Sequence, residues 1–318
     1  MAIVWIIALL GIFVGSLGVR AQMALSLGDR YEQDLQARYL AKAGVQYGME
    51  ALAQDVTLAY DGSNESWYNN PGLFLERRLD TGTFKVETSA GPNSPKIPGL
   101  LDEDRKININ TAPEDVLQNL FVFAADLSIQ DATTVAQSIL DWRDEDSEER
   151  DYGAEGSFYR NSRQAHECKD GPLENVEELL LVRGVEAAAY RAVLPYVTVY
   201  GSGHVNFNTA GTEVLTSLGF SEAGLATLNG FRVGEDGIPG NADDRLFVSA
   251  GSIVSDLEAL IPVDDLQILS KLVEDKFIGV NSRAFRMQVE AWTPDERGRA
   301  RIECVFDRGG KIYFWSEH

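Results

Sequence analysis

The chain has 318 residues, 44% of them hydrophobic, which suffices for more than one globular core and excludes a disordered or fibrous class. Its 49 acidic against 28 basic residues give a formal net charge of -21, a surface that repels phosphate backbones and suits divalent cations or basic partners. Cys168 and Cys304 are the only cysteines, so one intrachain bridge is the most the chain can make, and a pair of free thiols is expected.

Residues 2–19, "AIVWIIALLGIFVGSLGV", carry no charge, and the first charged side chain is Arg20. Eighteen apolar residues in a helix rise about 27 Å, close to the hydrocarbon thickness of a bilayer. A basic n-region and an A-x-A cleavage site are missing, which separates the segment from a secretory signal. No proline occurs before Pro71, and Tyr31, Leu35 and Tyr39 share one helical stripe while Val45, Met49, Leu52 and Val56 share another. The pattern predicts one helix of about 55 residues, its first part an anchor and its second part a packing spine.

Residues 60–72 are dense in turn formers and read as a loop. "TFKVETSA" alternates Phe84 and Val86 with polar residues, a half-buried strand, and "GPNSPKIPG" reads as an irregular connector stiffened by three prolines.

"KININTAPEDVL" at residues 106–117 returns 98 residues later as "HVNFNTAGTEVL", with six of the twelve positions identical. Each copy reads as a short strand entering a helix. Thr111 and Glu114 have capping-box spacing with Pro113 in the first turn, whereas Glu213 sits one place late after Thr209, which predicts a weaker second cap. "VEELLLVRGVEAAAYRAVLPYVTVY" reads as a helix, a turn near Gly184 and a helix stopped by Pro195, and "GTEVLTSLGFSEAGLATLNGFR" repeats that plan. The block is therefore predicted to be all-α, built from duplicated helical hairpins. The last forty residues return to strands, with Phe285, Met287, Val289 and Ala291 on one face, Ile302, Cys304 and Phe306 on another, and the aromatic "KIYFWSE" closing the chain. Strands on both sides of the helical block place it as an insertion into one α+β domain.

Two of the loops are acidic. Residues 141–155, "DWRDEDSEERDYGAE", hold eight carboxylates against two arginines. Asp144, Asp146, Glu148 and Glu155 stand at EF-hand positions one, three, five and twelve, but Glu149 replaces the glycine of position six, so a standard EF-hand is excluded. Composition leaves two readings open, a solvated acidic loop or a calcium loop whose candidate ligands are Asp141, Asp144, Asp146, Glu148, Asp151 and Glu155. "GEDGIPGNADD" adds Asp236, Asp243 and Asp244 as a second candidate. His166, His204 and His318 show no metal-ligand spacing and read as surface or loop residues. No nucleophile elbow, phosphate loop or HExxH site is present, so the chain offers no catalytic residues and no organic cofactor is expected.

The repeated unit is similar to the helix-hairpin-helix modules of competence-type DNA receptors. The turns "RGVEA" and "LGFSEAG" have one glycine where that motif has two, with Glu186 or Glu222 beside it, and a carboxylate there repels phosphate. A membrane-anchored DNA-binding protein is the alternative reading, and no nucleic-acid partner is expected. From end to end, the order of features resembles the K-class minor pseudopilins of bacterial type II secretion. The resemblance is carried by "MAIVWIIALL", "KININTAPEDVL", "ILDWRDEDSEERDYGAEGSFY", "GPLENVEELLLVRGV", "VNFNTAGTEVL" and "IYFWSE". It implies an α+β fold: a pilin-like long helix on a small antiparallel sheet, with a large all-α, helix-hairpin-helix or SAM-like domain inserted. The expected division is a transmembrane part at 1–20, the first part of the pilin-like domain at 21–105, the insert at 106–277 and the closing strands at 278–318. The resemblance further implies a non-enzymatic subunit at the tip of the periplasmic pseudopilus that initiates or caps its assembly for export of folded proteins. I- and J-class minor pseudopilins as partners, maturation by the prepilin peptidase, a single-pass anchor in the inner membrane and calcium in the inserted domain follow from it. No short basic leader precedes Met1; if Met1 is the mature start, the fifth position holds Trp5 in place of the usual glutamate, as in the K class.

Overall fold

The computed structural model describes residues 2–318 apart from 92–93, 163–164, 238–239 and 242. Met1 and Pro92 of the proline connector therefore lie outside the described residues.

Helix α1 (Ala2–Ala53) runs unbroken for 52 residues, about 78 Å at helical rise. Its first part is long and apolar enough to cross a membrane. Its last part docks on the sheet through Ala37, Leu40, Ala41, Val45, Ala51 and Leu52, all buried. The expected stripe of Tyr31, Leu35 and Tyr39 points outward, and Val56 is 91% exposed beyond the helix end. Small residues take its place because the sheet presents bulky ones. A Cβ on Gly44 would lie 2.5 Å from Val289 Cγ1 and 2.9 Å from Phe84, and one on Gly48 would lie 2.7 Å from Met287 Sδ. The helix gives up roughly 1 kcal/mol of propensity at each glycine in exchange for that approach.

After α1 the chain forms α2 (Pro71–Phe74), β1 (Arg77–Leu79), β2 (Gly82–Ser89), β3 (Lys96–Pro98) and β4 (Leu101–Asp102). The turn-rich stretch before α2 carries Trp67 into the core, edge-on to Phe285 at 5.2 Å between ring centroids. The connector read as irregular contains β3, which pairs with residues 87–89 of β2. Its prolines did not prevent this, because an edge strand tolerates a missing donor.

The insert comprises β5 (Ile107–Asn108), α3 (Glu114–Ala125), α4 (Ile129–Arg143), α5 (Gly156–Arg160), a 3-10 turn at Val176–Leu181, α6 (Ala187–Val193) and β6 (Val197–Thr198). It continues with β7 (Val205–Asn206), α7 (Thr212–Ser217), α8 (Glu222–Arg232), α9 (Ala250–Leu257), α10 (Val263–Glu274) and β8 (Ile278–Gly279). β5 pairs with β6 and β7 with β8, both in parallel. The duplication is thus larger than the predicted hairpin: each copy is a strand, two helices, an acidic loop, further helical segments and a returning strand. β8 lies just past the expected boundary at 277. The insert is mostly helical with two small parallel ladders, and one apolar core runs through both copies.

Neither copy uses the expected threonine cap. Helix α3 starts after Pro113 with no side-chain cap, and Thr111 Oγ1 instead donates to the Gly203 carbonyl at 2.6 Å. Helix α7 starts after Gly211, while Thr209 Oγ1 donates to Asp102. Tertiary acceptors outcompeted the local amides in both.

The chain then completes the sheet with β9 (Ala284–Trp292), β10 (Arg299–Asp307) and β11 (Ile312–Glu317). The strand order is β1-β2-β9-β10-β11, antiparallel throughout, with β3 on β2 and β4 on β9. β2 therefore pairs with a strand that follows the whole insert, which makes the insertion a property of the sheet itself. Cys304 is buried under α1 and Cys168 lies in the insert's core; both are free thiols, as expected.

Candidate metal centre

Two polar clamps hold each acidic loop of the insert. Asn110 exchanges hydrogen bonds with the backbone of Leu173 at 2.8 and 2.9 Å, and Asn208 does the same with Phe247 at 2.8 and 3.0 Å. Arg143 donates to the carbonyls of Ile109 and Ala112, and Arg232 to those of Phe207 and Ala210. The loops thus begin at an arginine and end at an asparagine clamp, and this is what the repeated N-x-N-T-A unit builds. The first asparagine of each unit, Asn108 or Asn206, accepts from the amide of the second and fixes the turn.

In the first loop, Arg150 folds back to pair with Asp141 and, at 2.7 Å, with Asp144. A Cβ on Gly153 would run into the Asp141 carboxylate, which would have to shift. Trp142, Tyr159 and His166 pack as a ring cluster beneath it, with centroids 5.0–5.8 Å apart. His166 is thus a half-buried member of that cluster rather than a plain surface residue.

The fold gathers Asp144, Asp146 and Glu155 so that one oxygen of each lies within 4.8 Å of the others. Glu155 is 4% exposed, and neither of its oxygens has a hydrogen-bond partner; Asp144 Oδ1 is likewise buried and without one. Burial, followed by the charges of Asp141, Asp170 and Asp144, pushes Glu155 up to about 7. A carboxylate left in that state is costly unless protonated or bound to a cation. Glu155 also shares a group with Cys168 and Asp170, neither of which was read from the sequence. Burial pushes the Cys168 thiol up to about 12.

Three of the six candidates in this loop are not brought to the centre. Asp141 is neutralised by Arg150, and Glu148 and Asp151 are exposed outside the gathered group. Among the described residues, the second loop gathers no group from Asp236, Asp243 and Asp244 either. Asp243 Oδ2 accepts from the amides of Glu235 and Asp236, and Asp244 Oδ2 from Gly240, so these carboxylates brace their own turn. Ile238, Pro239 and Ala242 of that loop lie outside the described residues.

A second acidic cluster, Asp55, Asp61 and Glu65, stands at the far end of α1, where Arg308 pairs with Asp55 at 2.8 Å and also with Asp61. Burial raises Asp61 to about 6 and Glu65 to about 7. Beside it, Asp102, Glu103 and Asp104 join sheet to insert, each no more than 2% exposed. Asp102 accepts from Asn206 and Thr209, Glu103 pairs with Arg286 and Lys106, and Asp104 accepts from Ser202 and the amides of Arg283 and Ala284. Nothing local in "LDEDRK" distinguishes these buried acids from solvated ones.

The family model described as "Type II secretion system (T2SS), protein K" matches residues 99–202. The chain is 34% identical over 80 residues to the type II secretion system protein K of Klebsiella pneumoniae, 24% of either length. It is 40% identical over 68 residues to that of Dickeya chrysanthemi, 21% of this chain and 18% of the relative. The aligned segments thus span a quarter or less of these relatives. Among solved structures, a chain of the GspK-GspI-GspJ complex from enterotoxigenic Escherichia coli superposes with a TM-score of 0.65 at 16% identity, covering 94% of this chain and 99% of that one. Long helix, antiparallel sheet and duplicated insert define a pilin-like protein of α+β fold. Within that class, residues 99–202 are similar to the type II secretion protein K family, the family that the sequence motifs resemble.

Proposed function

We propose that this chain is a minor pseudopilin that caps the periplasmic pseudopilus. It would sit there with I- and J-class minor pseudopilins and initiate assembly for the export of folded proteins. The observation that carries this is the place of the insert. Arg308 ties the Leu52 carbonyl, Asp55 and Asp61 at the end of α1 farthest from the apolar segment, and Asp61 in turn bonds Ser282 and Asn206. The insert is therefore rooted at the distal end of the helix, where a subunit stacked above would have to sit. Residues 2–19 also lack a carboxylate that could neutralise a neighbour's amino terminus in lipid, where an unpaired charge is costly. A subunit with nothing above it needs neither.

In this reading α1 anchors the chain once in the bacterial inner membrane, the rest is periplasmic, the prepilin peptidase matures it, and its role is structural. Asp144, Asp146 and Glu155 would hold calcium: three carboxylates supply up to six oxygens, within calcium's usual six to eight ligands. Glu186 at the start of α6 and Glu222 in the first turn of α8 put carboxylates where a DNA phosphate would dock, which argues against the nucleic-acid alternative.

The full chain in detergent, mixed with I- and J-class subunits, is expected to elute as one ternary complex, and gold-labelled antibody is expected at fibre ends. Label spread along the shaft would overturn the capping role, and separate elution at micromolar concentration would overturn the partnership.

A further inference from the structure

We propose a second cation position in the insert, a thiolate–carboxylate site formed by Cys168, Glu155 and Asp170 that takes a divalent metal of the zinc class. It goes beyond the calcium reading and meets it only at Glu155. One ligand atom from each of the three residues lies within 4.8 Å of the other two. They face a cavity of about 210 Å³ beside the first acidic loop.

Two independent features point to a ligand there. Both Glu155 oxygens are buried without a hydrogen-bond partner on a residue 4% exposed. Among the described residues, the nearby cations are engaged elsewhere: Arg160, which lines the cavity, bonds Glu167 at 2.9 Å, and Lys169 bonds Glu178 at 2.7 Å. The thiol lies 4.0 Å from the Asp141 carbonyl and also hydrogen-bonds with Asp170, through its backbone and its carboxylate.

Sulfur decides the class of metal. Calcium takes oxygen ligands and gains nothing from a thiolate, whereas zinc accepts sulfur and carboxylate together with a fourth position open to water. Zinc–oxygen bonds of about 2.1 Å and zinc–sulfur bonds of about 2.3 Å set tetrahedral ligand atoms roughly 3.5 Å apart. Binding replaces the thiol proton, which leaves to solvent. The two positions differ in kind: oxygen only at Asp144 and Asp146, sulfur at Cys168, with Glu155 between them.

The test uses the metal-free full chain in detergent, titrated with cadmium as the spectroscopic probe and with zinc in equilibrium dialysis, while the calcium-dependent rise in melting temperature reports the other position. Wild type, Cys304→Ser and Asp144→Asn are expected to show cadmium–thiolate charge-transfer absorption saturating at one metal per chain. Cys168→Ser is expected to lose the absorption and at least about 10-fold in zinc affinity while keeping the calcium effect. Asp170→Asn, on an exposed residue, is expected to weaken zinc while the metal-free chain still folds and melts cooperatively, which keeps the test valid should Cys168→Ser misfold. Absence of the absorption in wild type, its survival in Cys168→Ser, or unchanged zinc affinity in Asp170→Asn would each overturn the proposal. Loss of the calcium effect alone would overturn the calcium reading and leave this one standing.

Discussion

Arg143 and Arg232 make the same clamp in the two halves of the insert: each guanidinium caps two carbonyls of the N-x-N-T-A turn, Ile109 and Ala112 in one, Phe207 and Ala210 in the other. Burial lowers both guanidinium groups to about 10. Neither arginine serves chemistry; each satisfies backbone acceptors that no helix can reach. Substitution by methionine keeps the bulk and orphans both carbonyls, at roughly 1–3 kcal/mol for each buried group. Arg143→Met and Arg232→Met should each lower the denaturation midpoint clearly, and a change within error would show that water replaces the clamp.

The asparagine clamp gives a graded prediction. Asn208 is 2% exposed and also reaches the Val280 carbonyl, whereas Asn110 is half-buried. Asn208→Ala should therefore destabilise more than Asn110→Ala, each within about 1–3 kcal/mol. Asn110→Ala should also expose residues 144–172 to limited proteolysis, because Leu173 anchors the end of that loop. Equal cleavage in wild type and variant would contradict the clamp.

Glu155 makes the metal-free chain pH-dependent. Burial first, then Asp141, Asp170 and Asp144, raises it from 4.5 to about 7, so the folded chain holds this proton more tightly than the unfolded one. Its contribution is complete below about pH 4.5 and is lost as pH rises through 7. Without divalent ions, Glu155→Gln should melt higher than wild type at pH 8 by about 2–4 °C, the scale of 1 kcal/mol for a domain this size, with the difference closing toward pH 5. Calcium should reverse the order at pH 8. A melting difference that stays flat with pH would refute the assignment.

The glycines of α1 separate two roles. Gly44→Ala should cost about 1–2 kcal/mol, since overpacking against Val289 and Phe84 exceeds the gain in helix propensity. Gly48→Ala should cost less, because Met287 can move. Gly28→Ala meets nothing within 4 Å and should be neutral or stabilising. Denaturant midpoints in detergent check the order, and a destabilised Gly28→Ala would contradict it.

The sequence by itself determined the long helix, the strand faces and the duplication, because each is written in periodicities that local backbone geometry must obey. Phe84, Val86, Met287, Val289, Ile302 and Cys304 fell on the buried side as alternation required. Only the tertiary structure decided which stripe of α1 docks, since Tyr31 and Tyr39 outrank Gly44 and Gly48 in hydrophobicity but not in fit to Phe84 and Val289. It also decided which carboxylates gather. Asp141 and Asp144 lie three residues apart and both pair with Arg150, yet only Asp144 gathers with Asp146 and Glu155, while Glu155 also meets Cys168 and Asp170. A carboxylate's role depends on which cation arrives and whether water leaves, and both are set by contacts that no sequence spacing encodes.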